Sequence, residues 1–264
     1  MADGKSGVLA DHDLAALFES SAITSESDLD SDQIQPASLD LRLGAIAYRI
    51  RASFLPGDAR SVDDVLIVPG TELHRIELTA QGAVLETGCV YLVPLQEALK
   101  LPAGISGRAN PKSSTGRIDV FTRVVTNQSK AFDDVPSNYS GPLWLEISPR
   151  TFPILVRPGD RLAQLRLRRE HSADTSEETV SIDLDKPQGQ PVGWRAKRHG
   201  GLIDLRAIGK HDVHEFWEPL YARGGRLILD PEEFYILASR ETVEVAPDTA
   251  AELAPLAPEL GAFR

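Results

Sequence analysis

A mainly β fold of the jelly-roll or distorted-barrel kind, with few short helices, is what this sequence predicts, and three observations predict it. Most periodic segments are short and alternate apolar with polar residues at period two. They end at Gly or Pro, of which 20 and 18 are scattered along the chain. A stripe of clear helical period occurs only near the start. The 264 residues, 42% of them apolar, suffice for one large domain or two ordinary ones with a real core.

The elements follow in chain order. Asp11 is placed to cap a helix whose Leu14, Leu17 and Phe18 repeat at i, i+3, i+4. Residues 37–44 alternate Leu39, Leu41 and Leu43 against Asp40 and Arg42, a strand with one polar face. Residues 89–95 form a continuous apolar run and should be a buried strand. Leu143, Leu145 and Ile147 alternate with Trp144, Glu146 and Ser148. Residues 154–157 and 162–167 flank Arg157-Pro158-Gly159-Asp160, where Pro then Gly suits a type II turn. Residues 170–190 are polar and read as a linker or surface excursion. A second helix is expected over 213–223, with Phe216, Trp217 and Leu220 on one face.

An internal repeat organises the chain. Val90-Tyr91-Leu92-Val93 matches Phe234-Tyr235-Ile236-Leu237, and on the same offset Glu97 meets Glu241, Leu99 meets Val243, Leu101 meets Val245 and Pro111 meets Pro255. Leu39-Asp40-Leu41-Arg42 is similar to Ile203-Asp204-Leu205-Arg206. Tandem copies are therefore expected: a first domain over 1–170, a linker over 171–194, and a C-terminally incomplete second copy over 195–264. The natural chain is expected to continue past Arg264, because a half-built β domain leaves open strand edges.

Charge and cysteine usage limit the function. Lys and Arg total 28 against 39 Asp and Glu, a net charge of −11. That argues against bulk binding of nucleic acid or an anionic membrane, but leaves room for a local basic pocket. Cys89 stands alone, so neither an intrachain disulfide nor a cysteine-based zinc site can form. The start lacks a signal-like apolar core, and no apolar run approaches the ~20 residues that span a bilayer. A cytoplasmic location is expected.

Residues 107–117 concentrate Arg108, Lys112 and Arg117 with Ser113, Ser114 and Thr115, and contain no carboxylate. Hydroxyls, backbone N–H groups and arginine forks suit a polyphosphate, although the spacing is not that of a Walker loop; the alternative is a polar turn leading into a helix. Glu146, with Trp144 beside it, is either a buried acid next to a planar ligand or a solvated strand carboxylate. Residues 132–141 form a turn-rich hairpin, in which Asp133, Asp134 and Asn138 do turn chemistry. The six histidines match no metal-binding motif; His211 and His214 are spaced i, i+3 without an evident third ligand.

The order of these segments resembles the dCTP deaminase and dUTPase superfamily over about residues 8–170. The resemblance rests on Gln35-Pro36-Ala37-Ser38-Leu39-Asp40-Leu41-Arg42-Leu43-Gly44, Lys112-Ser113-Ser114-Thr115-Gly116-Arg117, Tyr139-Ser140-Gly141 followed by Leu143-Trp144-Leu145-Glu146, and Gly159-Asp160-Arg161-Leu162-Ala163-Gln164-Leu165. The tandem pattern is similar to that of long bacterial dCTP deaminases.

The resemblance implies hydrolytic deamination of dCTP without zinc. Lys112, Ser113, Ser114, Arg117 and Gln164 would hold a triphosphate that carries its own Mg²⁺. Thr126, Asn127 and Trp144 would contact the base, and Tyr139 would pack under the deoxyribose. Glu146 would move protons between water, ring and ammonia, a role suited to a buried carboxyl with a raised pKa. Asp133 or Asp134 would position a water if diphosphate were released. dUTP diphosphatase action, alone or combined with deamination, is the enzymatic alternative; a non-catalytic deoxynucleotide sensor is the other. dCTP, dUTP and dTTP are the expected ligands, and a homo-oligomer with sites between copies the expected assembly. The chain departs from the pattern in a longer stretch over 127–137, in having no histidine at the base-contacting position, and in lacking a Gly-rich C-terminal lid.

Overall fold

The computed structural model describes residues 7–169, 176–247 and 249–253. The chain divides into two compact units: Met1–Ser172 with Lys197–Phe216, and Ala173–Ala196 with Trp217–Arg264. The cut after Ser172 lies beside the boundary expected at 170, whereas 173–196 groups with the second unit and 197–216 with the first. Residues 193–196 form a strand, and the segment after it returns to the first unit.

The first unit carries two six-stranded sheets. In one, Asp134–Val135, Ile105–Pro111, Arg161–Arg169, Ser38–Arg42 and Ile34–Gln35 lie side by side, and Gly7–Val8 adds to Arg161–Arg169. In the other the order is Val120–Thr126, Ser140–Pro149, Val90–Lys100, Ile46–Ile50 and Glu72–Glu77, with Ile23–Ser25 added to Val90–Lys100. The alternation read in the sequence sets the core. Leu39, Leu41, Leu165, Leu167 and Ala109 are buried in the first sheet, and Val93, Leu143, Leu145, Ile147 and Val124 in the second. Gly107 is required by this packing, since an added Cβ would stand 2.8 Å from Leu167 Cδ2.

The expected polar face of Ser38–Arg42 is also buried: Asp40 is 1% and Arg42 2% exposed. Each has a partner that sequence distance conceals. Arg42 Nε donates to Glu97 Oε1 at 2.9 Å, its backbone N–H donates to Glu97 Oε2 at 2.8 Å, and Gln33 Nε2 donates to Glu97 Oε1 at 2.8 Å. Asp40 is paired with Lys112.

The second sheet is likewise covered on the face expected to be polar. Val62 and Leu66, from a short helix Val62–Leu66 capped by Ser61, pack on Tyr48, Ile50, Leu92, Val125 and Trp144. Segment 53–66 is tied down by Gln128 N–H to Arg60 O at 2.9 Å, Val62 N–H to Asn127 Oδ1 at 2.9 Å and Gly57 N–H to Ser129 O at 3.0 Å.

Two helix expectations are corrected. The first helix spans Asp11–Glu19 with Ala10 at the N-cap and no side-chain cap; Asp11 lies inside the first turn, where its charge complements the helix dipole. The expected helix 213–223 is four residues, Val213–Phe216, followed by a strand Trp217–Leu220. Pro219 has no N–H to continue a helix, and Trp217–Leu220 pairs with Gly193–Ala196. The turn at 157–160 is as read: Gly159 has φ 84°, and Asp160 N–H donates to Arg157 O at 3.1 Å.

Ile203–Asp204 runs parallel to Ile154–Val156 in the first unit. It is latched there by a bidentate Arg157–Asp204 pair at 2.5 and 2.9 Å and by Arg206 Nε to Asp160 Oδ1 at 2.6 Å. The Arg157 guanidinium holds the Asp204 carboxyl at about 2. In the second unit, Gly193–Ala196 is the middle strand between Trp217–Leu220 and Tyr235–Leu237. There, Ile182 bridges to Ser239 within the stretch expected to be a linker. The two matched segments of the repeat, at 203–206 and 234–237, thus fall in different units. Its last match, at Pro255, lies outside the described residues.

Candidate active site

Glu146 sits mid-strand in Ser140–Pro149, opposite Arg123 on one neighbour and Leu92 on the other. It is 2% exposed, not a solvated strand carboxylate. Arg123 meets it through Nε at 3.0 Å and Nη2 at 2.5 Å, both donating to Oε1. Nη2 also donates to Ser53 Oγ at 2.6 Å, and the guanidinium lies 3.6 Å from the Phe132 ring centroid. A buried carboxylate needs such a partner to offset its desolvation. Arg123 belongs to no motif in the sequence. The one available signal was a cation alternating with apolar residues on a strand that leads into the hairpin.

Trp144, two residues before Glu146 on the same face, is buried with its Nε1 unpartnered. Asp133 takes a left-handed backbone conformation, φ 63°, and its Oδ1 accepts from Val124 N–H at 2.7 Å. Burial pushes its carboxyl up to about 6, against the pull of the Val124 N–H, Arg123 and Arg108, with the Glu146 charge adding to the rise. Asp134 is exposed and pairs in register with Arg108.

The hairpin that joins the two strands borders an open cavity of about 430 Å³, lined by Ser61, Asn127, Gln128, Pro136, Ser137, Asn138, Tyr139 and Ser140. Tyr139 is fixed at its wall: its hydroxyl accepts from Asn127 N–H at 3.1 Å and donates to Pro142 O at 2.6 Å. Gly141 makes room for it, since a Cβ there would stand 2.9 Å from the hydroxyl. Asn127 lines the cavity while its Oδ1 holds Val62 N–H. Thr126 is buried with Oγ1 unpartnered and does not line it.

The hydroxyl-rich segment forms a four-residue helix, Ser113–Gly116, pinned by Thr115 Oγ1 donating to Leu162 O at 2.8 Å. Ser113, Ser114 and Arg117 are exposed, and their side chains make no hydrogen bond or ion pair among the described residues. Lys112 is committed to buried Asp40, with Arg161 Nη1 3.6 Å from the same carboxylate oxygen. Gln164 lies cross-strand from Asp40 and Asn110, and its Oε1 accepts from Ser38 Oγ at 3.1 Å.

Two groups of residues therefore form at opposite ends of one ladder. Ser113–Gly116 precedes Val120, which pairs with Pro149; the cavity follows Thr126, which pairs with Leu143. At about 3.3 Å per residue, the strand between them is roughly 20 Å long. Glu146 lies between these ends. Among the described residues no three His, Cys, Asp or Glu side chains gather as a metal site, and no helix is long and apolar enough to cross a membrane.

Two β-sheets, a buried strand carboxylate, a turn-rich hairpin and a hydroxyl-rich turn define a mainly β protein with a candidate acid–base residue and a candidate anion-binding segment. Comparison with known proteins narrows this. The model of the 2'-deoxycytidine 5'-triphosphate deaminase (DCD) N-terminal domain matches residues 5–171, and that of the C-terminal domain matches residues 160–264. The chain belongs to the 2'-deoxycytidine 5'-triphosphate deaminase family. The crystal structure of 2'-deoxycytidine 5'-triphosphate deaminase from Agrobacterium tumefaciens is 52% identical, with a TM-score of 0.87 over 92% of this chain and 79% of that one. A dUMP-forming dCTP deaminase of Corynebacterium glutamicum is 30% identical over 61% of this chain and 79% of its own length. The dCTP deaminase of Aeropyrum pernix is 27% identical over 61% and 82%.

Proposed function

We propose that this chain catalyses the hydrolysis of dCTP to dUTP and ammonia, with Glu146 as the residue that moves the protons. The observation that carries this reading is the Glu146 carboxylate, buried in the middle of the strand that leads away from the hairpin, in a chain of the dCTP deaminase family. Glu146 takes a proton from water as the oxygen adds to C4 of the cytosine. It passes that proton to ring N3, then moves the hydroxyl proton of the adduct to the exocyclic nitrogen, so that the C4–N bond breaks, ammonia leaves and the C4 oxygen remains as the carbonyl of uracil.

Ser113, Ser114 and Arg117 supply free donors for the triphosphate, and Gln164 stands on the neighbouring strand. Lys112 serves by fixing the start of the helix to Asp40. The Mg²⁺ arrives on the triphosphate as part of the substrate. Asn127 and Tyr139 shape the cavity for base and sugar. The roughly 20 Å between the phosphate segment and the hairpin cavity suits a homo-oligomer in which the phosphate segment of one copy completes the cavity of another. The unpaired Cys89 thiol suits a reducing compartment such as the cytoplasm.

Product analysis with dCTP and Mg²⁺ tests the reading. Ammonia and dUTP in equal amounts support it. dUMP and pyrophosphate alongside ammonia mean that one site also cleaves the triphosphate. Saturable dCTP binding without any product means a sensor, and overturns the enzymatic reading.

A further inference from the structure

Glu146 is enclosed by a group that copies part of a cytosine. Both Arg123 donors that reach the carboxylate converge on one oxygen, Oε1, at 3.0 and 2.5 Å. The planar guanidinium lies flat enough on Phe132 to bring its central carbon 3.6 Å from the ring centroid; Phe121 stands 5.1 Å from the same carbon. Ser53 Oγ accepts from Nη2 at 2.6 Å and fixes the outer edge. A planar carbon flanked by nitrogens and presenting N–H groups to a carboxylate is the unit that cytosine carries at C4 once N3 is protonated, with ring N3–H on one side and the exocyclic amine on the other.

We propose that the Arg123 guanidinium occupies the place of the cytosine amidine, that the pyrimidine stacks on Phe132 when it binds, and that Arg123 is displaced from Glu146 to admit it. The inference rests on the dCTP reading above. It follows from the directions of the donors: Oε1 already accepts two hydrogen bonds, and the stacking face of Phe132 is already covered. A pyrimidine amine cannot take Oε1 or that face of Phe132 unless Arg123 moves. Arg123 is thus a competitor of the base and sets its apparent affinity, because a site open for only a fraction of the time binds in proportion to that fraction.

The experiment measures nucleotide binding by calorimetry for the wild type, Ser53→Ala and Arg123→Gln. Ser53 is exposed, so Ser53→Ala keeps the proposal testable if Arg123→Gln, which leaves Glu146 buried without its cation, does not fold. Both variants are expected to bind dCTP more tightly, Arg123→Gln by about fivefold or more and Ser53→Ala by less. Deoxycytidine should gain the same factor and inorganic tripolyphosphate none, a base-only pattern that a merely structural role for Arg123 does not produce. Millimolar guanidinium ion should then compete with dCTP in Arg123→Gln but not in the wild type. Unchanged or weaker dCTP binding in folded variants overturns the proposal while leaving the deaminase reading intact. A wild type that binds no dCTP overturns that reading, and this proposal with it.

Discussion

Arg117 and Asp133 carry the most direct consequences at the scale of single residues. Arg117 is exposed and its guanidinium makes no described contact, so its replacement costs no internal interaction. Arg117→Ala is expected to weaken dCTP binding by about 1.5–3 kcal/mol, the worth of one charge-assisted phosphate contact, and to leave deoxycytidine binding unchanged. Equal losses for both ligands in titration calorimetry would mean that the arginine supports the fold instead.

Asp133 makes a pH prediction. Its carboxyl is raised by burial from 3.8 to about 6, so between these values the folded chain holds a proton that the unfolded chain has released. Stability from this group therefore falls as pH rises through that window. Asp133→Asn abolishes the titration and keeps an oxygen for the Val124 N–H. Relative to the wild type it should gain roughly 2–3 kcal/mol between about pH 4 and pH 7 in urea unfolding. A difference that stays constant with pH contradicts the assignment.

At the scale of elements, the buried Arg42–Glu97 pair joins Ser38–Arg42 to Val90–Lys100 and ties residues 25–33 to both. Arg42 Nη1 donates to Asp28 O at 2.7 Å and Nη2 to Ser25 Oγ at 2.6 Å. Arg42→Met leaves Glu97, 0% exposed, as an uncompensated charge, and should cost about 3–5 kcal/mol. The double variant with Glu97→Leu should recover much of that loss. A double variant no more stable than the single one would show that the pair, and not the stranded carboxylate, is what matters.

This network also shows what sequence can and cannot reveal. The alternation of Leu39, Leu41 and Leu43 located the strand and its core face. The other face read as polar and solvated because the partners of Asp40 and Arg42 lie far along the chain, at Lys112 and Glu97. Glu146 was legible as a candidate from its motif and its strand, whereas Arg123 was not. Their pairing depends on a register set across a long hairpin, and their cover comes from residues 53–66. The helix expected over 213–223 failed for a related reason: Phe216, Trp217 and Leu220 suit a helical stripe, but Pro219 and pairing with Gly193–Ala196 favour a strand.

On the scale of the whole molecule, the proposed homo-oligomer makes catalysis depend on assembly. Assayed at dCTP concentrations well below those that saturate the wild type, Arg117→Ala and Glu146→Gln chains should each be nearly inactive. If each site draws one residue from each of two copies, mixing them after reversible dissociation restores about a quarter of wild-type activity. No recovery in mixed oligomers would place both residues in one chain's site.

The central claim is that Glu146 performs the proton transfers of dCTP deamination, and it is tested most directly by ammonia release from dCTP in the folded Glu146→Gln protein, with dCTP affinity measured on the same sample. An amide fills the same space but cannot accept and return a proton. The predicted result is dCTP affinity close to wild type with turnover lowered by about 10²- to 10⁴-fold. Turnover at the wild-type rate, in a variant that binds dCTP, would contradict the account.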